Sequence, residues 1–307
     1  MNDTARTQQP HPHPVRVPRS RAWILGIRPR TLPASVAPIL VGCGLAIDSG
    51  EFRWGVSLAA LFTALLLQIG ANLANDLFDY RRGTDTPDRV GPTRVTSSGM
   101  LSPATVALGM GVCLGLAALT GLYLVWRGGW PIALVGALSI LAALGYTAGP
   151  FPLSYHGLGE VAVFLFFGPV AVVGTYYLQA LDVTAAAWVA SVPMGALITA
   201  ILIVNNYRDI DTDRAVGKKT LAVVLGQRGT RLEYKAMLAI AYLSPLALLA
   251  TLGASPWMLL PLLSAPIALR LSREIDARIG TALNATLAGT ARLTIYFGGL
   301  LAAGLAL

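Results

Sequence analysis

Apolar runs long enough to cross a bilayer recur along this chain, and two of them end on clustered carboxylates. A spanning helix needs about 20 residues. Hydrocarbon offers no partner for backbone polar groups, so only helices or closed barrels cross it. The period-two alternation of a barrel is absent, which leaves an all-α, polytopic membrane fold. Composition agrees: 55% of the 307 residues are hydrophobic and 12% are charged, against about 25% charged in soluble domains.

About nine spans are expected, near 31–47, 55–78, 103–126, 130–147, 158–179, 185–207, 236–253, 256–270 and 282–305. The eighth is short and carries Pro256, Pro261 and Pro266. Residues 1–22 read as a disordered cytoplasmic tail and 23–307 as one transmembrane domain. The tail lacks the apolar core of a cleaved signal, and its His11 and His13 sit in a Pro-rich segment better suited to a floppy tail than to a metal site. On this layout 20 of the 23 Lys and Arg fall on one side. The positive-inside rule makes that side cytoplasmic, with the C-terminus outside. The net charge of +8 therefore needs no nucleic-acid partner. Cys43 and Cys113 fall inside spans, away from any His cluster, and read as small core residues.

The polar stretches "NLANDLFDY" (72–80) and "NNYRDIDTD" (205–213) carry the chemistry. On a helix Asn72, Asp76 and Asp79 share one face, as do Asn205, Asp209 and Asp213; Asp211 points roughly 200° from Asp209. Both stripes lie at the same membrane face. Gly83 and Gly217 each follow the last aspartate by four residues, with Thr86 and Thr220 beyond, the pattern of an internal duplication. Polar helix ends dissolved in headgroups are the bland alternative. Against it, carboxylates near a helix C-terminus meet the wrong end of the helix dipole, by about 0.3–1 kcal/mol each. Oxygen ligands without thiol or imidazole suit Mg²⁺, which also binds substrate phosphates. Four carboxylates balance two Mg²⁺, and a diphosphate of about three negative charges then calls for cations. Arg81, Arg82, Arg208, Lys218 and Lys219 are candidates, arginine matching phosphate oxygens with its planar fork. Such a clamp at a membrane surface implies a diphosphate head on a lipid tail. "GKKT" (217–220) lacks the upstream glycine spacing of a nucleotide-binding loop.

These residues resemble the UbiA-type intramembrane prenyltransferases, marked by one Asn-x-x-x-Asp-x-x-Asp motif and one Asp-x-x-x-Asp motif. Here they are Asn72, Asp76 and Asp79, then Asp209 and Asp213 preceded by Asn205. "RPRTLPASVAPILVG" (28–42), "VTSSGMLS" (95–102) and "YTAGPFPLSYHGLGE" (146–160) place the resemblance in the menaquinone branch, and no Asn-Arg-Pro-x-x-Ser-Gly stretch precedes Met100. The resemblance implies a chamber enclosed by the helices and an Mg²⁺-dependent transfer of a polyprenyl group from polyprenyl diphosphate to 1,4-dihydroxy-2-naphthoate, with loss of CO2 and diphosphate. It implies metal ligation by Asp76, Asp79, Asp209 and Asp213 with Asn72 and Asn205, and charge uptake by Arg208, Lys218 and Arg81.

Beyond the motifs, Tyr146, Tyr155, His156 and Glu160 line the mouth between the fourth and fifth spans, as acceptor contacts or as an aromatic belt and loop polar groups. Arg28 and Arg30 either reach the diphosphate or anchor the membrane. Asp85 and Asp88 read as loop structure. Two rival functions stand beside this one: the same chemistry on 4-hydroxybenzoate, homogentisate, haem or chlorophyllide, and a cation or lipid transporter.

Overall fold

A computed structural model describes residues 17–85, 90–252 and 255–307; the tail residues up to Arg16, with His11 and His13, and the loop residues Thr86, Asp88 and Arg89 lie outside them. Among the described residues every regular element is helical. The α-helices in chain order are α1 (Arg19–Ile27), α2 (Pro33–Asp48), α3 (Trp54–Arg82), α4 (Pro103–Gly128), α5 (Trp130–Gly145), α6 (Gly159–Leu165), α7 (Ala171–Ala180), α8 (Ala185–Arg208), α9 (Ile210–Ala215), α10 (Leu221–Leu252), α11 (Ala265–Ala277) and α12 (Leu283–Ala306).

Helix boundaries follow local chemistry. Ser102 caps α4, its hydroxyl accepting from the Thr105 N–H at 3.2 Å with Pro103 at the first helical position. Thr184 caps α8 by accepting from the Ala187 N–H. Between α6 and α7 the chain makes a π turn over Phe166–Val170. Pro169 within it has no N–H to offer the helical ladder.

The helices α2, α8 and α12 share a core with α7 and α10, built on Ala37, Val41, Met194, Leu197, Tyr234 and Phe297. Lipid tails are as apolar as leucine, so helix association rests on close packing rather than on escape from water. Small residues permit it. A methyl group at Gly44 would lie 2.5 Å from the Ala302 carbonyl oxygen of α12.

Each of the nine expected segments overlaps a helix, but several differ in form. Among the described residues five helical stretches are long and apolar enough to cross a membrane (α3, α4, α6 through α7, α8 and α10), six if α1–α2, bent by 47°, is one span; α5 is a shorter apolar helix. The tail boundary moves, since α1 begins at Arg19 and Ala22 is buried against Leu73 and Val95. The seventh helix starts at Leu221 rather than 236, with a kink at Gly226 (φ 68°, ψ 178°). Arg228, Arg231 and Lys235, expected in a loop, therefore ride on α10. The eighth segment opens as a 3-10 helix over Pro256–Ser264 and continues as α11, whose Arg270 and Arg278 pair with Glu274.

Exposed tryptophans gather at one level. Trp54 opens α3, Trp126 closes α4, Trp130 opens α5 and Trp188 lies in the first turn of α8. The acidic motifs occupy the opposite ends of α3 and α8. An aromatic belt of this kind marks a membrane interface.

Candidate active site

Both acidic stripes end in the same backbone device. After Asp79, the Gly83 N–H donates to the Tyr80 carbonyl and the Thr84 N–H to the Asp79 carbonyl. After Asp213, the Gly217 N–H donates to Arg214 and the Lys218 N–H to Asp213. Each is a Schellman closure, which needs a left-handed residue; Gly83 (φ 72°) and Gly217 (φ 74°) supply it. The repeated glycine spacing thus fixes the last carboxylate of each motif one turn from a helix end. The second motif is not one continuous helix, since α8 stops at Arg208. The Asp209 and Asp213 N–H groups still bond to the Asn205 and Asp209 carbonyls, which preserves the shared face.

The side chains of the first motif are buried and engaged. Asn72 donates through Nδ2 to the Ile27 carbonyl at 2.9 Å and to Thr31 Oγ1 at 3.0 Å, tying the α1–α2 bend to α3. Asp76 is 1% exposed, and its oxygens accept the main-chain N–H groups of Val95 and Thr96 at 3.0 and 2.9 Å. Asp79 accepts from Arg94 Nη2 at 2.9 Å and from the Tyr155 hydroxyl at 3.0 Å. Arg94 also lies 3.5 Å from Asp85, so Asp85 belongs to the site's edge as a loop tie.

In the second motif Arg208 grips both oxygens of Asp209, at 2.8 and 2.6 Å. The same guanidinium donates to Asn205 and Asn284 Oδ1. Lys218 stands 3.6 Å from Asp213. Asp211 is exposed and pairs with Arg214, away from the stripe.

The loop between α5 and α6 joins the two halves. The Tyr155 hydroxyl reaches Asp79, while its ring has Arg82 over it at 5.2 Å and Lys218 at 5.3 Å. Its carbonyl accepts the Lys219 N–H. Tyr146, at the end of α5, accepts the Ser154 N–H and hydroxyl on its carbonyl, which braces the loop. Burial and the Asp79 carboxylate push the Tyr155 phenol above its usual value, which keeps it a neutral donor. Glu160 is buried and accepts from Asn206 Nδ2 at 2.8 Å.

The remaining expected residues lie at the margin. Arg81 is exposed over the Phe78 ring, Lys219 and Arg30 are exposed, and Arg28 adopts a left-handed conformation (φ 56°) at the end of α1. His156 stacks on Phe151 and reads as loop structure. Cys43 and Cys113 are free thiols. A cavity of about 280 Å³ lined by Arg19, Trp23 and Ser102 lies between α1 and α4, so it is not the expected chamber. Sequence reasoning missed Arg94, Asn206 and Asn284; no spacing signal distinguishes Arg94 from the basic residues that anchor the loops.

The donor set is all oxygen, which fits a hard dication. Among the described residues no three carboxylate, imidazole or thiol side chains are gathered as a metal cage. The expected ligands are instead neutralised in place, Asp79, Asp209 and Asp213 by Arg94, Arg208 and Lys218. A carboxylate oxygen has two lone-pair sites, so Asp76 can serve its loop amides and a cation together.

Paired acidic motifs at one end of a helical bundle, bridged by a tyrosine and lined by Arg and Lys, define an intramembrane protein with an oxygen-rich site of mixed charge at one end. The chain belongs to the UbiA prenyltransferase family, matching it over residues 35–279. It is 44% identical to the 1,4-dihydroxy-2-naphthoate octaprenyltransferase of Mycobacterium tuberculosis, over 84% of this chain and 87% of that protein. It is 41% identical to the Escherichia coli protein of the same name, over 84% and 86%. Among solved structures, a UbiA homolog from Archaeoglobus fulgidus bound to GPP and Mg²⁺ superposes with a TM-score of 0.65 at 16% identity, over 91% of this chain and 99% of that one.

Proposed function

We propose that this protein transfers a polyprenyl group from polyprenyl diphosphate to 1,4-dihydroxy-2-naphthoate, releasing diphosphate and CO2 and giving demethylmenaquinol for menaquinone biosynthesis. The carrying observation is the identity of 44% and 41% to two enzymes named for that acceptor, each over 84% of the chain. The bridged acidic motifs supply the matching chemistry.

Mg²⁺, when bound by Asp76, Asp79, Asp209 and Asp213 with Asn72 and Asn205, would draw negative charge from the diphosphate. Arg208 and Lys218 hold the leaving oxygens, with Lys219, Arg81 and Arg28 at the margin, and bind them more strongly as the allylic C–O bond breaks. The diphosphate leaves with the electron pair. The electron-rich ring attacks the allylic carbon, and the ring carboxylate departs as CO2, returning its electrons to the ring. Tyr146, at the root of the α5–α6 loop, offers an aromatic face to the developing cation, and that loop excludes water that would otherwise yield the free alcohol.

The catalytic unit spans residues 19–307, with α1 included, in a bacterial cytoplasmic membrane, with about nine crossings around the chamber, the N-terminus and motif face cytoplasmic and the C-terminus outside. The basic residues near the motifs and the tryptophans at the opposite helix ends support this orientation.

Incubating purified protein with Mg²⁺, one labelled prenyl diphosphate and each acceptor in turn tests the proposal. The expected result is a product with the mass of decarboxylated, prenylated dihydroxynaphthoate. Product from 4-hydroxybenzoate or homogentisate instead would reassign the acceptor, and no product from any acceptor would favour a transporter.

A further inference from the structure

The two acidic motifs sit on different helix groups. The first is on α3, which packs on α4, α2, α5 and α1; the second ends on α9, which packs on α10 and α8. A diphosphate clamp divided between them needs something to set their relative position. Helix α2 packs on both α3 and α8; at the last carboxylates, the α5–α6 loop reaches Asp79 directly and Asp213 through Lys218.

That loop is tied to the first motif's helix at three points. Thr147 donates to Asn75, Arg82 donates to the Gly149 carbonyl, and the Tyr155 hydroxyl donates to Asp79. It is tied to the second motif by the Lys219 N–H on the Tyr155 carbonyl and by Lys218 over the Tyr155 ring, with Lys218 in turn 3.6 Å from Asp213. The loop is itself braced, the Ser154 N–H and hydroxyl both donating to the Tyr146 carbonyl. Tyr155 also shares a hydrogen bond of 2.9 Å with Thr84, the residue that closes the Schellman turn of the first motif.

We propose that Tyr155 is the positioning residue that holds the two acidic motifs in register, its hydroxyl orienting Asp79 and its ring seating Lys218 beside Asp213. This rests on the reading that the motifs share one metal-diphosphate ligand. Tyr155 touches no reacting atom in this role; it presets the clamp, so that the ligand does not have to order the two halves as it binds.

The test measures binding of inorganic diphosphate with Mg²⁺ by calorimetry, using full-length protein in detergent. Tyr155→Phe removes the hydroxyl and keeps the ring; it should bind about tenfold more weakly, the scale of one hydrogen bond to a charged group. Tyr155→Ala, which also loses the seat for Lys218 and Arg82, should bind more weakly still. In turnover, Tyr155→Phe should raise KM for the prenyl diphosphate and leave KM for the acceptor unchanged. A purely structural tyrosine would lower the melting temperature while the folded protein kept its affinity. Tyr155→Phe binding within twofold of the wild type overturns the proposal. Should that variant fail to fold, Thr84→Val removes the hydroxyl's second partner and should weaken binding about threefold; unchanged affinity there overturns it equally. A wild-type protein that binds no magnesium diphosphate would overturn the shared-ligand reading itself, a result distinct from either variant matching it.

Discussion

Asp76 and Asp79 stand three residues apart on α3, yet one faces main-chain amides and the other faces cationic and phenolic side chains. Their substitutions should differ accordingly. Asp76→Asn turns an acceptor into an NH2 group opposed to a backbone N–H, a loss of about 1–3 kcal/mol for a buried donor left unpaired. Its melting temperature should fall even without ligand, and turnover should vanish; an unchanged melting curve would contradict the loop-tying role. Asp209→Asn should also abolish turnover, because it removes the carboxylate charge that Arg208 grips and that a bound cation would need. Asp211→Asn, at an exposed pair with Arg214, should leave both stability and activity unaltered within error. For Tyr155 the sign of the pH effect follows from its raised pKa. The folded state holds the phenolic proton more tightly than the unfolded chain, so its contribution is complete below the ordinary tyrosine value of about 10 and is lost only at more alkaline pH. The melting difference between wild type and Tyr155→Phe should therefore stay constant from pH 7 to about 9.5; a decline within that window would contradict a neutral donor.

The duplicated Schellman closures are what the helices contribute. Nothing lies within 4 Å of a methyl group added at Gly83 or Gly217, so alanine there meets only the backbone penalty of the left-handed region, about 1–2 kcal/mol. Each variant should unfold at lower temperature, and a pair of unchanged melting curves would show that the turns do not fix the carboxylates. The sequence displays the glycine spacing as a duplicated pattern, and the apolar runs display α3, α4 and α8, but the turn that each glycine closes appears only in the fold. The start of α10 was not legible. Arg228, Arg231 and Lys235 look like a loop by charge, but Arg231 donates to the Tyr207 hydroxyl and Lys235 pairs with Asp276, so a charged first half of a helix is satisfied by its neighbours. The eighth segment misled in the opposite sense: proline removes the N–H that an α-helix needs, and a 3-10 helix results over Pro256–Ser264. In the site itself the carboxylate stripes were readable from spacing, whereas their partners Arg94, Val95 and Thr96 come from a distant loop that no periodicity reports.

For the whole molecule, charge and tryptophan distribution divide the protein into two ends. In a background with Cys43 and Cys113 replaced by serine, a cysteine at Asp182 should react with an impermeant maleimide applied to intact cells. One at Asp211 should react only after permeabilisation; the reverse pattern would invert the topology. The proposed chemistry requires both motifs to serve one ligand at the second of these ends. The most direct measurement is the binding of Mn²⁺ with diphosphate, followed by electron paramagnetic resonance, to wild type, Asp79→Asn and Asp213→Asn. One shared site predicts that either substitution alone weakens the same binding event by tenfold or more, on the order of a lost charge-assisted contact. Retention of wild-type affinity by either variant would mean that the two motifs act separately, and would contradict the account.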